Sequence, residues 1–142
     1  MKLPDLNLLI YAVDESSPRH DRARPWLEEV LSGTEDVGFA GLVIVGFVRL
    51  TTNPAVFSRP MESAEALDYV DSWLAQPPAT MLAPSERHLS LLRDLLEPVG
   101  TAANLVSDAH LAALAIEHGA ELLSCDTDFA RFDGLRWRDP LR

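Results

Sequence analysis

The chain has 142 residues, enough for one domain with a hydrophobic core and too few for two domains of ordinary size. Its 12 basic and 22 acidic residues give a net charge of −10, which excludes capture of nucleic acid by a broadly basic surface. Hydrophobic residues make up 47% and charged residues 24%, a balance that counts against intrinsic disorder. We expect a single domain spanning residues 1–142.

Cysteine usage and the N-terminal segment indicate the compartment. Cys125 is the only cysteine, so it can form neither an internal disulfide nor a CxxC metal cluster. The first residues include Asp5 and contain no apolar run long enough for a signal peptide or a membrane span. The sequence therefore predicts a cytoplasmic protein with no membrane partner.

The first half of the chain is predicted to contain two strands and three helices. In chain order the pattern predicts a strand at 1–5, a helix at 6–13, a helix from Ser17-Pro18 to Gly33, a strand at 37–40 and a helix at 42–50. Pro25 is expected to kink or delay the second helix. The run at 42–50 is almost wholly apolar, which predicts a buried helix.

The second half alternates in the same way. The pattern predicts a helix at 63–74, a strand at 80–82, a helix from Ser85 to Gly100, a helix at 108–118 capped by Ser107 and a strand at 121–125. The positions expected to face inward in the first two of these helices are Ala66, Leu67, Val70, Leu74, Leu89, Leu92, Leu95 and Leu96. Strands separated by helices of crossover length predict a three-layer α/β/α fold with a central parallel sheet.

Four carboxylates are expected at one edge of this sheet. Asp5 follows the first strand, Asp126 and Asp128 follow the last, and Asp108 lies in the first turn of the helix before it. That helix runs roughly 15 Å away at about 1.5 Å per residue and the strand returns roughly 15 Å at about 3.3 Å per residue, so Asp108 and Asp126 meet. Asp5 joins them if the first and last strands are neighbours.

Clustered carboxylates repel one another unless a cation neutralises them, and oxygen-only ligands favour Mg²⁺, with Mn²⁺ as a substitute. Such a metal activates water and polarises a phosphodiester oxygen, which favours hydrolysis of a nucleic acid backbone. Taken singly, Asp108 is more typical of favourable electrostatics at a helix start, and Asp126-Thr127-Asp128 is as typical of a plain turn. The convergence of the acids favours the metal site.

Four stretches of sequence point to a family. They are Asp5-Leu-Asn-Leu-Leu-Ile-Tyr-Ala, Gly46-Phe-Val-Arg-Leu-Thr-Thr-Asn-Pro, Asn104-Leu-Val-Ser-Asp-Ala-His-Leu-Ala-Ala-Leu-Ala and Cys125-Asp-Thr-Asp-Phe-Ala-Arg-Phe. Each motif alone is weak, but in this order and at these separations the chain resembles the PIN-domain family. Within that family it is similar to the VapC-type ribonuclease toxins of bacterial type II toxin-antitoxin modules.

The resemblance implies a Mg²⁺-dependent endoribonuclease that hydrolyses RNA, forms a homodimer and is inhibited by a cognate VapB-like antitoxin. Asp5, Asp108 and Asp126 match the family's catalytic and metal-binding acids, and Asp128 matches an additional acidic position of the metal site. Asn7 matches a polar residue that supports the first of these acids. An antitoxin for a site of this charge is expected to bring apolar side chains and at least one Arg toward the acids.

The chain departs from the family pattern at Gly46, where many PIN domains carry a Glu as a further metal-site acid. A Gly-Phe-Val-Arg variant is typical of a subgroup of the toxins, so the missing Glu does not imply inactivity, but it counts against a fully occupied two-metal site. Arg49, one helical turn on, is a candidate RNA phosphate contact, with an exposed or structural arginine as the alternative. Which RNA is cut is not encoded in a readable motif.

Other functions are weighed against this one. The departure at Gly46 also fits a catalytically silent PIN-like module that binds RNA or a partner. A phosphatase or phospho-acceptor domain would need a lysine near the phosphate, and the only lysine is Lys2. Cys125 is more typical of a buried small residue than of a nucleophile, and His110 is expected to point away from Asp108.

Two surfaces are candidates for contact with partners. The C-terminal arginines are interleaved with aromatic residues, which fits either RNA contact or an edge strand with solvated charges. Trp26, Trp73 and the apolar helix around 43–48 are expected to leave hydrophobic surface for a dimer interface.

Overall fold

The computed structural model describes all 142 residues and contains five short strands and six α-helices. In chain order they are β1 (Lys2–Pro4), α1 (Leu6–Val13), α2 (His20–Leu31), β2 (Val37–Ala40), α3 (Gly41–Thr51), α4 (Ser63–Leu74), β3 (Ala79–Leu82), α5 (His88–Leu96), α6 (Val106–Glu117), β4 (Glu121–Leu123) and β5 (Trp137–Arg138). Short 3₁₀ helices lie at Glu97–Val99, Ala103–Leu105 and Thr127–Arg131. None of the helices combines the length and hydrophobicity needed to cross a bilayer.

The strands form one sheet in the order β3-β2-β1-β4-β5, and every neighbouring pair is parallel. β1 pairs with β4, with Leu3 opposite Leu122. The amide of Asp5 continues this ladder by donating to the carbonyl of Leu123 at 2.8 Å. The first and last predicted strands are therefore neighbours, which was the condition for Asp5 to meet the other acids.

The helices form two groups, one around α1 and one around α6. α1 contacts α2 and α3, and α3 contacts α4, whereas α5 contacts α6. One continuous hydrophobic core joins both groups through the sheet, and all four residues of β2 are buried. Burial of this kind explains why the strands read as apolar runs rather than as alternating patterns. The expected three-layer α/β/α fold is confirmed.

An aromatic cluster fixes α3 and α4 to the sheet. Phe39 of β2 stacks on Trp73 of α4 with ring centroids 6.3 Å apart. Phe47 of α3 meets the same Trp73 edge-on at 4.9 Å, and Tyr69 completes the group. Because α3 also carries Gly46 and Arg49, this packing sets where those two positions lie relative to the ends of the strands.

The structure corrects several predicted faces. α3 is not buried all round: Val43 and Phe47 face the core, but Leu42 is 43% and Val45 65% exposed. Trp73 is 8% exposed and buried with Val43 and Phe47, so the predicted interface surface is reduced to the outer sides of these helices. An uninterrupted apolar run therefore does not distinguish a helix buried all round from one with a free apolar side.

Two leucines predicted to face inward are exposed. Leu67 of α4 is 47% and Leu89 of α5 is 74% exposed. At the start of α5 the buried residue is His88, which contacts Glu117 through Nδ1 at 2.9 Å and His110 through Nε2 at 2.9 Å. A prediction from hydrophobicity places leucine in the core before histidine. His88 is buried because its hydrogen-bond partners, Glu117 and His110, lie on the neighbouring helix α6.

Three predicted helix starts also differ from the structure. Ser107 does not cap α6, because the helix already begins at Val106 and its cap residue, Leu105, makes no side-chain bond. Ser85 lies three residues before α5, and its amide donates to Glu117 instead. Pro25 does not delay α2, which begins at His20 and includes the proline.

We predict that Phe47→Ala lowers the free energy of unfolding by about 3 to 5 kcal/mol, because it removes a fully buried ring from the aromatic cluster. Urea denaturation measures the change. Val45→Ala, on the exposed side of the same helix, serves as the control and should change stability by less than about 0.5 kcal/mol. Equal effects of the two variants would show that the aromatic cluster does not hold α3 in place.

Candidate metal centre

Asp5 is held by hydrogen bonds at the junction of β1 and α1. Its Oδ1 accepts from the amide of Leu6 at 2.7 Å and so caps α1. Its Oδ2 accepts from the hydroxyl of Ser124 at 2.7 Å and from Nδ2 of Asn7 at 3.3 Å. Burial raises the pKa of Asp5, the bonds from Ser124 and Leu6 oppose that rise, and the charge of Asp126 adds to it.

Ser124 connects the two sides of the site. Its hydroxyl donates to Asp5, and it accepts from Nδ2 of Asn7 at 3.0 Å and from the amide of Asp126 at 3.0 Å. The residue is fully buried, and these contacts use its one donor and its two acceptor positions. The sequence pattern did not single out Ser124. The available signal was a small hydroxyl residue near the end of the last predicted strand, two positions before Asp126.

Asp126 and Asp128 lie at the start of the 3₁₀ helix that follows β4. Oδ1 of Asp126 accepts from the amide of Asp128 at 2.9 Å, which caps this helix. Asp128 is exposed, and its only charged partner is Arg131, at 3.5 Å. The segment is thus a capped turn as well as a source of two carboxylates, so the plain-turn interpretation and the site interpretation describe the same geometry.

Asp108 lies in the first turn of α6 and is half-buried. Partial burial and then the charges of Asp126, Asp5 and Asp128 raise its pKa to about 6, with Arg131 opposing the rise. No hydrogen bond to the carboxylate of Asp108 offsets these effects.

The acids converge on one small volume. One carboxylate oxygen each from Asp108, Asp126 and Asp128 lie within 4.8 Å of one another. Asp5 lies outside this tight group but is joined to it through Ser124, which contacts both Asp5 and the amide of Asp126. A donor set made only of carboxylate oxygens suits a hard divalent cation rather than a metal that prefers nitrogen or sulfur ligands.

A cleft of about 180 Å³ lies beside these acids, between α1, α3 and α6. Asp5 and Asp108 line it together with Gly46 and Arg49. A Cβ atom at position 46 would lie 2.8 Å from Cδ2 of Leu6, so a larger residue there would displace the end of that side chain. Arg49 is an exposed residue at the edge of this cleft.

Two further residues considered in the sequence, Cys125 and His110, take no part in the chemistry of the acidic cluster. Burial and the neighbouring Asp139 raise the pKa of the Cys125 thiol to about 11, so the side chain remains a neutral thiol rather than a nucleophilic thiolate. His110 faces α5, where its Nδ1 lies 2.9 Å from Nε2 of His88. The expectation that it points away from Asp108 agrees with this contact.

The C-terminal arginines fit the edge-strand interpretation. β5 is the last strand of the sheet, and Nε of Arg138 donates to Glu121 of β4 at 2.8 Å. Nη2 of Arg136 donates to the carbonyl of Gly119 at 2.6 Å. Both arginines therefore already have partners within the chain.

Comparison with known proteins identifies the family. The PIN domain model matches residues 2–135. Ribonuclease VapC37 of Mycobacterium tuberculosis is 48% identical over 140 residues, covering 99% of this chain and 97% of that protein. Ribonuclease VapC33 of the same organism is 44% identical over 142 residues, covering 100% of this chain and 99% of that protein.

Solved structures show the same fold at low identity. VapBC2 from Rickettsia felis, bound to a promoter DNA fragment, matches with a TM-score of 0.71 and 18% identity over 96% of both chains. VapBC-1 from Haemophilus influenzae matches with a TM-score of 0.67 and 16% identity, covering 97% of this chain and 96% of that one. The resemblance found in the sequence is confirmed: the chain belongs to the PIN-domain family, among its VapC ribonucleases.

Proposed function

We propose that this protein is the toxin of a type II toxin-antitoxin module and hydrolyses RNA phosphodiester bonds at a Mg²⁺ ion held by Asp5, Asp108, Asp126 and Asp128. The endoribonuclease activity follows from its membership of the VapC ribonucleases. The observation that carries the assignment of the site is the convergence of three carboxylate oxygens within 4.8 Å. Asp5 lies next to them because β1 pairs with β4.

The residues present fit a divalent cation. Four carboxylates share the site, and partial burial together with the charges of the other three acids raises the pKa of Asp108. When bound, Mg²⁺ supplies the positive charge that activates a water molecule and polarises a phosphate oxygen. Mn²⁺ would substitute, since it accepts the same oxygen ligands.

The four acids differ in how firmly hydrogen bonds hold their side chains. Asp5 receives hydrogen bonds from the Leu6 amide, Ser124 and Asn7, so its orientation is set before any ligand arrives. The bond from Asn7 to Asp5 supports the proposal that Asn7 holds the first acid, as the resemblance implies. Asp5, Asp108 and Asp126 are assigned the catalytic role, and Asp128, at the exposed rim, completes the ligand set.

The RNA needs local positive charge, because the protein as a whole carries −10. Arg49 lines the cleft beside Asp5 and Asp108 and is assigned a phosphate contact. Gly46 supplies no carboxylate, so α3 adds no acid to the four that the other elements bring to the site. This absence is also what would favour a catalytically silent module that binds RNA or a partner.

A VapB-like antitoxin and a second copy of the chain are the proposed protein partners. The matching solved structures are VapBC assemblies, which supports the antitoxin. The exposed Leu42 and Leu67 of α3 and α4 offer apolar surface for the dimer. Co-expression with the adjacent reading frame tests the first partner, and the mass of the free protein in solution tests the second.

We predict that the purified protein cuts a mixed pool of structured RNA in Mg²⁺ or Mn²⁺ and that EDTA abolishes the cleavage. Asp108→Asn should lower the rate by about 100-fold or more, because it removes a metal ligand. Gel analysis of the RNA fragments measures both effects. Asp68→Asn, which makes the same charge change at an exposed position of α4, should cut like the wild type.

Cleavage that survives EDTA would contradict the proposed metal dependence, and an Asp108→Asn variant as active as the wild type would contradict the assigned site. Metal binding without cleavage of any RNA would favour the silent binding module. The three results therefore test, one each, the metal dependence of the enzyme, the position of its site and the non-enzymatic alternative.

We predict that Asp108→Asn raises the melting temperature of the metal-free protein at about pH 7.5. The pKa of Asp108 is raised from 3.8 to about 6, so the folded state binds the extra proton, and wild-type stability falls as pH rises through this window. Asparagine does not titrate, so the variant does not lose stability in this way as the pH rises. Its advantage should be largest above about pH 6 and should vanish near pH 4, as measured by calorimetry in EDTA.

The calorimetry of Asp108→Asn can also contradict the prediction. If Asp108→Asn is less stable than the wild type at neutral pH, or if its advantage does not change with pH, then the carboxylate is not strained by its neighbours. Asp68→Asn again serves as the control for the loss of one negative charge.

A further inference from the structure

Arg131 is the basic residue at the rim of the acidic cluster. Its Nε donates to the backbone carbonyl of Asp128 at 3.2 Å, and its Nη2 lies 3.5 Å from Oδ1 of the same residue. The ion pairs made by the other lysine and arginine side chains involve none of the four acids. Arg131 is therefore the cation that the structure places against the proposed metal site.

The contact between Arg131 and Asp128 is easily exchanged. The two side chains are 44% and 54% exposed, and an ion pair so exposed contributes little to stability. The distance of 3.5 Å is also longer than the roughly 2.8 Å of a good charge-assisted hydrogen bond. A stronger anionic partner would therefore displace Asp128 from the guanidinium at little cost.

We infer that Arg131 binds an RNA phosphate at this site, while Asp128 is released to the metal ion. The inference rests on the proposed function and adds a substrate-binding residue to it. A guanidinium fork matches the geometry of a phosphate group, and phosphate contacts dominate the affinity of proteins for RNA. Because the chain has no broadly basic surface, single arginines beside the site have to supply these contacts.

Arg49 and Arg131 approach the site from different elements. Arg49 extends from α3 into the cleft lined by Asp5 and Asp108. Arg131 ends the 3₁₀ helix that begins after Asp126. The two arginines therefore offer phosphate contacts to RNA from two different elements beside the carboxylates.

The alternative is that Arg131 only closes the 3₁₀ turn and holds Asp128 in position. The two roles predict opposite changes in metal affinity. A residue that positions Asp128 would weaken metal binding when it is removed, whereas a free cation beside the ligands opposes the metal, so that its removal strengthens metal binding. The sign of the change therefore distinguishes phosphate binding from a structural role.

We predict that Arg131→Gln lowers the Kd for Mn²⁺ by about threefold, measured by calorimetry without RNA, because a like charge is removed. The kcat/KM for a labelled mixed-sequence RNA should fall by about tenfold. Its dependence on salt, plotted as logarithms, should become shallower by about 0.7, the value for one lost contact to single-stranded RNA. Arg131→Lys should restore the Mn²⁺ affinity and the salt dependence.

Arg136→Gln is the matched control, because Arg136 bonds the Gly119 carbonyl before β4 and not the acids. It should leave Mn²⁺ affinity and salt dependence at wild-type values. Weaker Mn²⁺ binding by Arg131→Gln, or an unchanged salt dependence, would overturn the inference while the wild type stays active. If the wild type itself neither binds Mn²⁺ nor cuts RNA, the proposed function fails, and this inference with it.

Discussion

The site depends on the parallel pairing of β1 with β4. These strands are far apart in the sequence, and their pairing brings the residues that follow them together at one edge of the sheet. The hydroxyl of Ser124 then bridges the two ends, donating to Asp5 and accepting from the amide of Asp126. Without this pairing Asp5 would remain an ordinary helix cap. With it, a cap and a turn become two members of one carboxylate cluster.

The cluster is held together against its own repulsion. Backbone amides and the Ser124 and Asn7 side chains donate hydrogen bonds that hold Asp5 and Asp126, whereas partial burial and then the charges of the neighbouring acids raise the pKa of Asp108 to about 6. Such an arrangement is unfavourable in a protein that only needs to fold, and it becomes useful when a divalent cation binds. Under the proposed function, a chain of net charge −10 would attract RNA locally, through the metal ion and individual arginines.

The sequence predicted the fold and the acids because both follow from regular patterns. Apolar runs and crossover lengths determine a parallel sheet, and parallel strands bring their carboxyl ends to one edge. It did not predict Ser124, whose role depends on a partner more than a hundred positions away. Nor did it predict the burial of His88, which depends on Glu117 of another helix. The roles of such residues depend on contacts between distant parts of the chain, which local sequence propensity does not predict.

The most direct test of the central claim is the location of a metal ion in crystals of the protein soaked in Mn²⁺. Anomalous scattering locates the ion without reference to activity. The account predicts one peak bounded by Asp108, Asp126 and Asp128, with Asp5 facing it, and its loss in Asp108→Asn crystals. A peak elsewhere on the chain, or an acidic cluster that stays empty in soaked wild-type crystals, would contradict the claim that these carboxylates are gathered to hold a metal.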